Sequence, residues 1–347
     1  MKAAVLHAPK DLRIEEVEMP TAGVGEVVVK VKATGVCPTD LRKYMGASEV
    51  REPIILGHEF SGNIYDVGEG VLGLRKGDRV TVNPFLYCFG CRYCRLGRFN
   101  LCSNLGALGG AAELGRRLNG SFAEYVKVPA ESVYVIGPEV PYEEAALTEP
   151  LASCLNGILM CNMKPGDTVV IIGAGPIGLM HLQLARLFGA SKVVISDPLK
   201  HRRAKALELG ADYAIDPETE EPVTRVRDLS GGMGADVVVV ATGGRVEATC
   251  TEQGLRMVSK GGVVNIFTGT WPSTHVKLDP NLVHYGEVTL LGSHLFTPAI
   301  FSRAVKLVSS GRLRLGRIVS NILPLDEIVK AFNIALDKQA FKVELKP

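Results

Sequence analysis

The chain has 347 residues, 46% of them hydrophobic, which is more than one small core needs and enough for two domains. A formal net charge of +2, with acids and bases interspersed, leaves no broad field to gather a polyanion and argues against nucleic acid as a partner. No apolar run reaches the roughly 18 residues needed to cross a bilayer, and VVIIGAGPIGLM is short and broken by glycines, so no membrane association is expected.

Along the first 150 residues, short β-type runs such as EVVVKVKA and RVTVNPFLY alternate with turn signals such as GEG and KGD, and this half is predicted to be mostly β. From Lys164 the pattern changes. DTVVIIGAG precedes an apolar-periodic stretch at 176–188, then come KVVISD, a helical pattern at 200–209 and a short YAID. ADVVVVATGG, a helical 246–258, GGVVNIF and EVTLLGS follow, giving about six strands. Several are continuously apolar, as strands buried on both faces are, and a doubly wound α/β parallel sheet is expected. The helical AIFSRAVKLVSSG and RIVSNILPLDEIVKAFNIAL leave this alternation and are expected to return to the first domain.

Gly173, Gly175 and Gly178 form G-x-G-x-x-G directly after a predicted strand and at a predicted helix start, and Asp197 ends the next strand. In that context the glycines give a tight turn, close approach to a pyrophosphate and close helix packing, and helical N–H groups are left to meet phosphate. Gly173, Gly175, Pro176, Ile177 and Gly178 are therefore candidate coenzyme-binding residues, with Asp197 as acceptor for the adenosine ribose hydroxyls. A carboxylate there repels a 2′-phosphate and favours NAD over NADP. Lys200, Arg202 and Arg203 follow closely and keep NADP open; they also suit the solvated face of a helix. Thr242 and Gly243, after the fourth strand, suit close backbone approach to the dinucleotide, or an ordinary turn.

Eight cysteines behind a start without an apolar leader point to a reducing cytoplasm, where clustered thiols bind metal rather than pair. Cys88, Cys91, Cys94 and Cys102, spaced C-x2-C-x2-C-x7-C, can surround a tetrahedral zinc and leave no position open, so they read as a structural site. An iron–sulfur cluster and free thiols are the alternatives. A second set has mixed chemistry: Cys37 in GVCPTD, His58 and Glu59 in LGHEF, and Glu149 in LTEPLA. A thiolate, an imidazole and a carboxylate leave a coordination position to spare, the composition of a Lewis-acid zinc. No second histidine follows His58-Glu59 as in HExxH, so a metalloprotease is excluded.

GVCPTD, GHEFSG, KGDRV, the four-cysteine loop, GSFAEY, TEP and GAGPIG occur in this order, and with them nearly the whole chain resembles the medium-chain zinc-dependent alcohol dehydrogenase family. The resemblance implies a GroES-like, partly open β-barrel catalytic domain at 1–150, completed by 295–347, with an NAD-binding Rossmann domain at 151–294 between. It also implies two zinc ions per chain, hydride transfer from an alcohol carbon to nicotinamide, and a homodimer or homotetramer. Cys37 and His58 would be zinc ligands, and Glu59 or Glu149 the third. Thr39 matches the hydroxyl that takes the substrate proton, and Asp40 the residue that steadies the metal site. Glu149, where simple alcohol dehydrogenases have cysteine, is similar to the polyol (sorbitol) and L-threonine dehydrogenase branches.

Three positions depart from the family pattern. Pro38 replaces a glycine and stiffens the turn after Cys37. Arg42 stands where many members have a proton-passing histidine, and an arginine does not titrate near neutrality. GSHLF at 292–296 lacks the Arg-Tyr pair of many polyol dehydrogenases, and His294 with Phe296 is nearer to threonine dehydrogenases. The expected activity is oxidation of a small-molecule secondary alcohol, a polyol or sugar-derived alcohol, by NAD. Threonine 3-dehydrogenase, or a general secondary-alcohol dehydrogenase with NADP, is the alternative. A non-catalytic relative would be favoured by loss of Cys37 or His58, and both are present. A zinc-finger nucleic-acid binder would need a wider basic face than Arg92, Arg95 and Arg98 offer.

Overall fold

Valines on alternate positions of strand Glu26–Gly35 (Val27, Val29, Val31) meet Phe60, Ile64, Val80, Val82, Val126 and Val128 in one apolar core. Each side chain so buried contributes about 1.5–3 kcal/mol relative to exposure. In this computed structural model, residues 1–48, 53–110, 119–270 and 273–347 are described. The chain forms two compact units, Met1–Ala152 with Phe296–Pro347, and Ser153–Leu295.

The first unit is built on a seven-stranded sheet. Its main path runs Val133–Val135, Arg79–Val82, Glu59–Val67, Glu26–Gly35, Lys342–Lys346, Val319–Pro324. Strand Glu26–Gly35 forks: residues Glu26 to Lys30 pair with Tyr125–Pro129, while Thr34 and Gly35 pair with Leu345 and Glu344. The sheet is that of a partly open barrel, and the C-terminal strand Lys342–Lys346 belongs to it, next to Glu26–Gly35. A smaller sheet, Lys2–Ala8 with Asp11–Glu16 and Ile54–Ile55, lies apart from that path.

RVTVNPFLY is not one strand. It breaks into Arg79–Val82 and Phe85–Leu86, because Pro84 has no N–H for a ladder and the Asn83 side chain accepts from the Phe85 amide at 3.1 Å instead. The mostly β half also ends in helices, Tyr142–Ala146 and Thr148–Met160, and the second places Glu149 in its first turn.

The second unit is a six-stranded parallel sheet in the order Tyr213–Ile215, Lys192–Ser196, Thr168–Ile172, Ala235–Val240, Val258–Ile266, Thr289–Gly292. The central valines and isoleucines, among them Val170, Ile171, Val238 and Val239, are fully buried, as a sheet covered on both faces requires. Strand order reverses beside Thr168–Ile172, which is where such sheets open a crevice for ligands. The helical patterns at 176–188, 200–209 and 246–258 become Pro176–Leu187, Lys200–Glu208 and Glu247–Met257. Helix Pro222–Leu229 has no counterpart among the sequence expectations; Glu221 caps it, accepting from the Thr224 amide at 2.7 Å. Among the described residues no helix is long and apolar enough to cross a membrane.

Candidate metal centres and coenzyme site

Cys37 is the N-cap of helix Pro38–Tyr44, in extended conformation, with Pro38 at the first helical position where its missing N–H costs nothing. Asp40 at the third position closes a capping box, its Oδ2 accepting from the Cys37 amide at 3.1 Å. Its Oδ1 accepts from the Gly57 amide at 3.3 Å and lies 3.4 Å from His58 Nδ1. One fully buried carboxylate thus fixes both the turn that carries Cys37 and the loop that carries His58. Burial works against its charge, yet His58 opposite it, Lys43 and the Cys37 amide hold the Asp40 carboxyl below its ordinary range.

Cys37, His58 and Glu59 bring a sulfur, a ring nitrogen and a carboxylate oxygen within 4.8 Å of one another. Burial opposes a charge on His58, but Asp40 and Cys37 together raise its pKa well above the usual imidazole value, so the pocket is electrostatically built for a positive charge. That polarity, and a donor set with room for a further ligand, fit a zinc ion. Glu149 stands outside this trio but is buried, and burial raises its carboxyl to about 7, with His58 pulling down and Glu59 pushing up. Thr39 is half-buried, and its Oγ1 accepts from Arg42 Nη2 at 3.1 Å.

Sequence reasoning missed Lys342. It is buried, its ammonium pairs with Glu59 Oε2, and it donates to the Val36 carbonyl at 3.0 Å. Nothing local in FKVELK marks it, because a lysine alternating with apolar residues ordinarily reads as solvated.

The four cysteines of residues 88–102 come together as a separate group, all free of disulfides. Cys102 and Cys88 sulfurs are 3.4 Å apart and Cys91 and Cys102 sulfurs 4.0 Å, bracketing the separation of about 3.8 Å that tetrahedral zinc–thiolate bonds give. Backbone amides of Cys88, Cys91 and Cys94 donate to sulfurs of the set at 3.4–3.5 Å. The amides of Cys94 and Ser103 lower the Cys91 thiol to about 6, while burial and its neighbouring thiols push Cys94 up to about 12. Four sulfurs at these distances suit a closed tetrahedral zinc site.

In the second unit, strand Thr168–Ile172 ends at Gly173, whose φ of 105° requires glycine. Helix Pro176–Leu187 starts from Gly175 with no side-chain cap, so its first N–H groups remain available to an anion. A Cβ on Gly178 would stand 1.8 Å from the Gly173 carbonyl oxygen, so only glycine allows the helix to pack so close to the turn. Ile177 lies in the helix's first turn, and its carbonyl bonds His181 Nδ1 at 3.0 Å. Asp197 already accepts from the Ala174 and Leu199 amides, each at 2.8 Å, which ties the glycine turn to the end of the second strand. Arg202 Nη1 is 3.6 Å from where a Gly175 Cβ would stand, so this base lies beside the glycine turn. Arg203 is structural: it bonds the Asp197 and Pro198 carbonyls at 2.7 Å and pairs with Asp216 at 2.6 Å. Thr242 and the exposed Gly243 follow strand Ala235–Val240, with the Thr242 carbonyl bonded by Thr268.

Residues 23–138 match the alcohol dehydrogenase GroES-like domain family, and residues 176–310 the zinc-binding dehydrogenase family. The chain is 34% identical over 353 residues to sorbitol dehydrogenase of Halalkalibacterium halodurans, covering 100% of this chain and 99% of that protein. It is 36% identical over 314 residues to L-threonine 3-dehydrogenase of Pyrococcus abyssi, covering 88% and 86%. Among solved structures, a zinc-binding dehydrogenase from Sinorhizobium meliloti 1021 bound to NADP has a TM-score of 0.93 at 33% identity, covering 100% of this chain and 99% of that one. With both domain families present in order and relatives spanning nearly its full length, the chain belongs to the medium-chain zinc-dependent alcohol dehydrogenase family, in the branch of the polyol and threonine dehydrogenases.

Proposed function

We propose that this protein oxidises a secondary hydroxyl of a polyol or sugar-derived alcohol to a ketone, passing hydride to NAD. The observation that carries the reading is the trio of Cys37, His58 and Glu59, a donor set open to one more ligand, in a chain of this family. Cys37, His58 and Glu59 would hold one zinc ion, with Glu149 as the carboxylate that can exchange with Glu59. Cys88, Cys91, Cys94 and Cys102 would hold the other. Zinc in the first site supplies a positive charge that acidifies a substrate hydroxyl, and the bound coenzyme supplies the hydride acceptor.

The chain's own residues do the rest. Thr39 Oγ1 receives the substrate proton. Arg42, donating to that oxygen at 3.1 Å, fixes its orientation and keeps its charge, so the proton leaves by water rather than through Arg42. Asp40 keeps the Cys37 turn and His58 in place. In the second unit the bare N-terminus of helix Pro176–Leu187 takes the pyrophosphate between Gly173, Gly175, Pro176, Ile177 and Gly178, with Thr242 and Gly243 beside it. Asp197 takes the ribose hydroxyls, and its carboxylate favours NAD. Arg202, close to the glycine turn, would admit some NADP, the coenzyme held by the Sinorhizobium protein. We place the working form in the cytoplasm, where clustered thiols stay reduced, as a homodimer or homotetramer.

L-threonine is the second reading, supported by the Pyrococcus abyssi relative. The test is NADH formation across a panel of polyols, simple secondary alcohols and L-threonine. Turnover is expected with polyols, lost on chelation and in Cys37→Ser. Turnover indifferent to both treatments would sink the zinc mechanism, and turnover confined to L-threonine would replace the substrate class.

A further inference from the structure

Strand Lys342–Lys346 carries Lys342, Glu344 and Lys346 at alternate positions, so the three side chains leave one face. Such an alternation ordinarily marks a solvated face, yet Lys342 is 5% and Glu344 0% exposed. Both side-chain oxygens of Glu344 are buried without a hydrogen-bond partner among the described residues. A buried carboxyl in that state is a liability that an apolar residue of the same size would avoid, and it calls for a use.

The sheet register supplies one. Glu59 lies opposite Gly35, and Gly35 opposite Glu344, so the three form a row across neighbouring strands. Residues so opposed project to the same side, which places Glu59 and Glu344 on either flank of the glycine, their Cα atoms about 10 Å apart. The Lys342 ammonium occupies the gap. It bonds Glu59 Oε2 and lies 3.2 Å from where a Gly35 Cβ would stand. A Cβ there would also fall 2.5 Å from Glu59 Oε2 and 2.7 Å from Lys342 Cε, so the gap exists because residue 35 is glycine. The ammonium therefore sits between two carboxyl groups, one engaged and one without a partner.

We propose that Lys342 is a positioning residue with two stations, Glu59 and Glu344, and that its move from the first to the second frees Glu59 to bind the metal at full carboxylate strength. The proposal rests on the reading of Cys37, His58 and Glu59 as the ligands. The side chain of Lys342 has four rotatable carbons, and Glu344 lies two residues along the same face, so torsional motion of one side chain makes the exchange. A carboxyl keeps an acceptor oxygen whether or not it carries a proton, so no proton has to move with the ammonium. While Lys342 is on Glu59, a cation shares that carboxylate's lone pairs. On Glu344 it does not.

Glu344→Met removes the second station at similar volume, and Glu344→Gln keeps an acceptor oxygen there. Zinc-loaded protein is challenged with excess chelator, and release of each ion is followed, the four-cysteine ion serving as internal reference. Glu344→Met is expected to release the other ion about 10- to 100-fold faster than the unmodified protein, the usual range for loss of a residue behind a metal ligand. Glu344→Gln is expected to stay close to the unmodified protein, and the four-cysteine ion to leave at an unchanged rate in all forms. Equal release from all three forms would overturn the proposal, as would Glu344→Gln failing as badly as Glu344→Met. Cys37→Ser separates the two claims: if both ions remain, the ligand assignment and this proposal fall together. If one ion is lost while the Glu344 forms release metal alike, only the second station is refuted.

Discussion

Asp40 accepts from the backbone on both sides, from the Cys37 amide through one oxygen and the Gly57 amide through the other, while facing the His58 ring. Asp40→Asn keeps the shape but turns one of those oxygens into a donor, so an N–H must face an N–H in a site with no water access. Affinity for zinc at the Cys37 site is expected to fall about 10- to 100-fold, with the four-cysteine ion unaffected, as read by competition against a chromophoric chelator. Asp40 was legible only through the resemblance that GVCPTD carries, and its capping box with Cys37 is what the structure adds. Lys342 was not legible, since its partner Glu59 lies 283 positions away and only the pairing of the last strand with Glu26–Gly35 brings them together.

Helix Pro176–Leu187 and its flanking turns form the proposed coenzyme site, and two side chains there give separate tests. Asp197→Ala removes the acceptor for two backbone amides and, on the proposed reading, for the coenzyme ribose. NADH affinity is expected to drop on the order of tenfold or more and the preference to move toward NADPH, measured by fluorescence titration with each coenzyme. His181, on the same helix, is fully buried against Phe267, with Nε2 lacking a partner among the described residues. Burial depresses its pKa to about 4. Its folded value thus lies below the unfolded value of about 6.5, so the unfolded chain takes up the proton first as pH falls. The stability that comes from keeping this ring neutral is complete above pH about 6.5 and disappears as pH falls through about 4. Relative to His181→Leu, the unmodified protein is expected to lose about 3 kcal/mol between pH 7 and 4, followed by urea unfolding at several pH values. A pH-independent difference would show that His181 is not held neutral. At this scale strand and helix periodicity was a good guide in the second unit, where each element is continuous and both faces of the sheet are apolar. It failed at RVTVNPFLY, where one proline ends the ladder, and at Pro222–Leu229, whose polar surface hides its helical period.

For the whole molecule, the conspicuous feature of the sequence is four cysteines within residues 88–102, while the trio Cys37, His58 and Glu59 is scattered over two segments. Both groups assemble, and coordination chemistry divides the work: four sulfurs close a tetrahedron, and the mixed trio leaves it open. The strand–helix alternation stops after Ser293 in the sequence, and residues 296–347 lie in the first compact unit. What the sequence could not show was how the C-terminal strand passes behind the metal trio, because that depends on register across three strands.

The most direct measurement is zinc content together with single-turnover NADH formation in the unmodified protein, Cys37→Ser and Cys91→Ser. Two ions per chain are expected in the first. Cys37→Ser should keep its fold and one ion, with hydride transfer reduced by about a thousandfold or more. Cys91→Ser should lose the other ion and some thermal stability while freshly prepared protein still transfers hydride. Turnover surviving in Cys37→Ser, or abolished in a folded Cys91→Ser that retains the Cys37-site ion, would contradict the assignment of catalysis to the scattered trio.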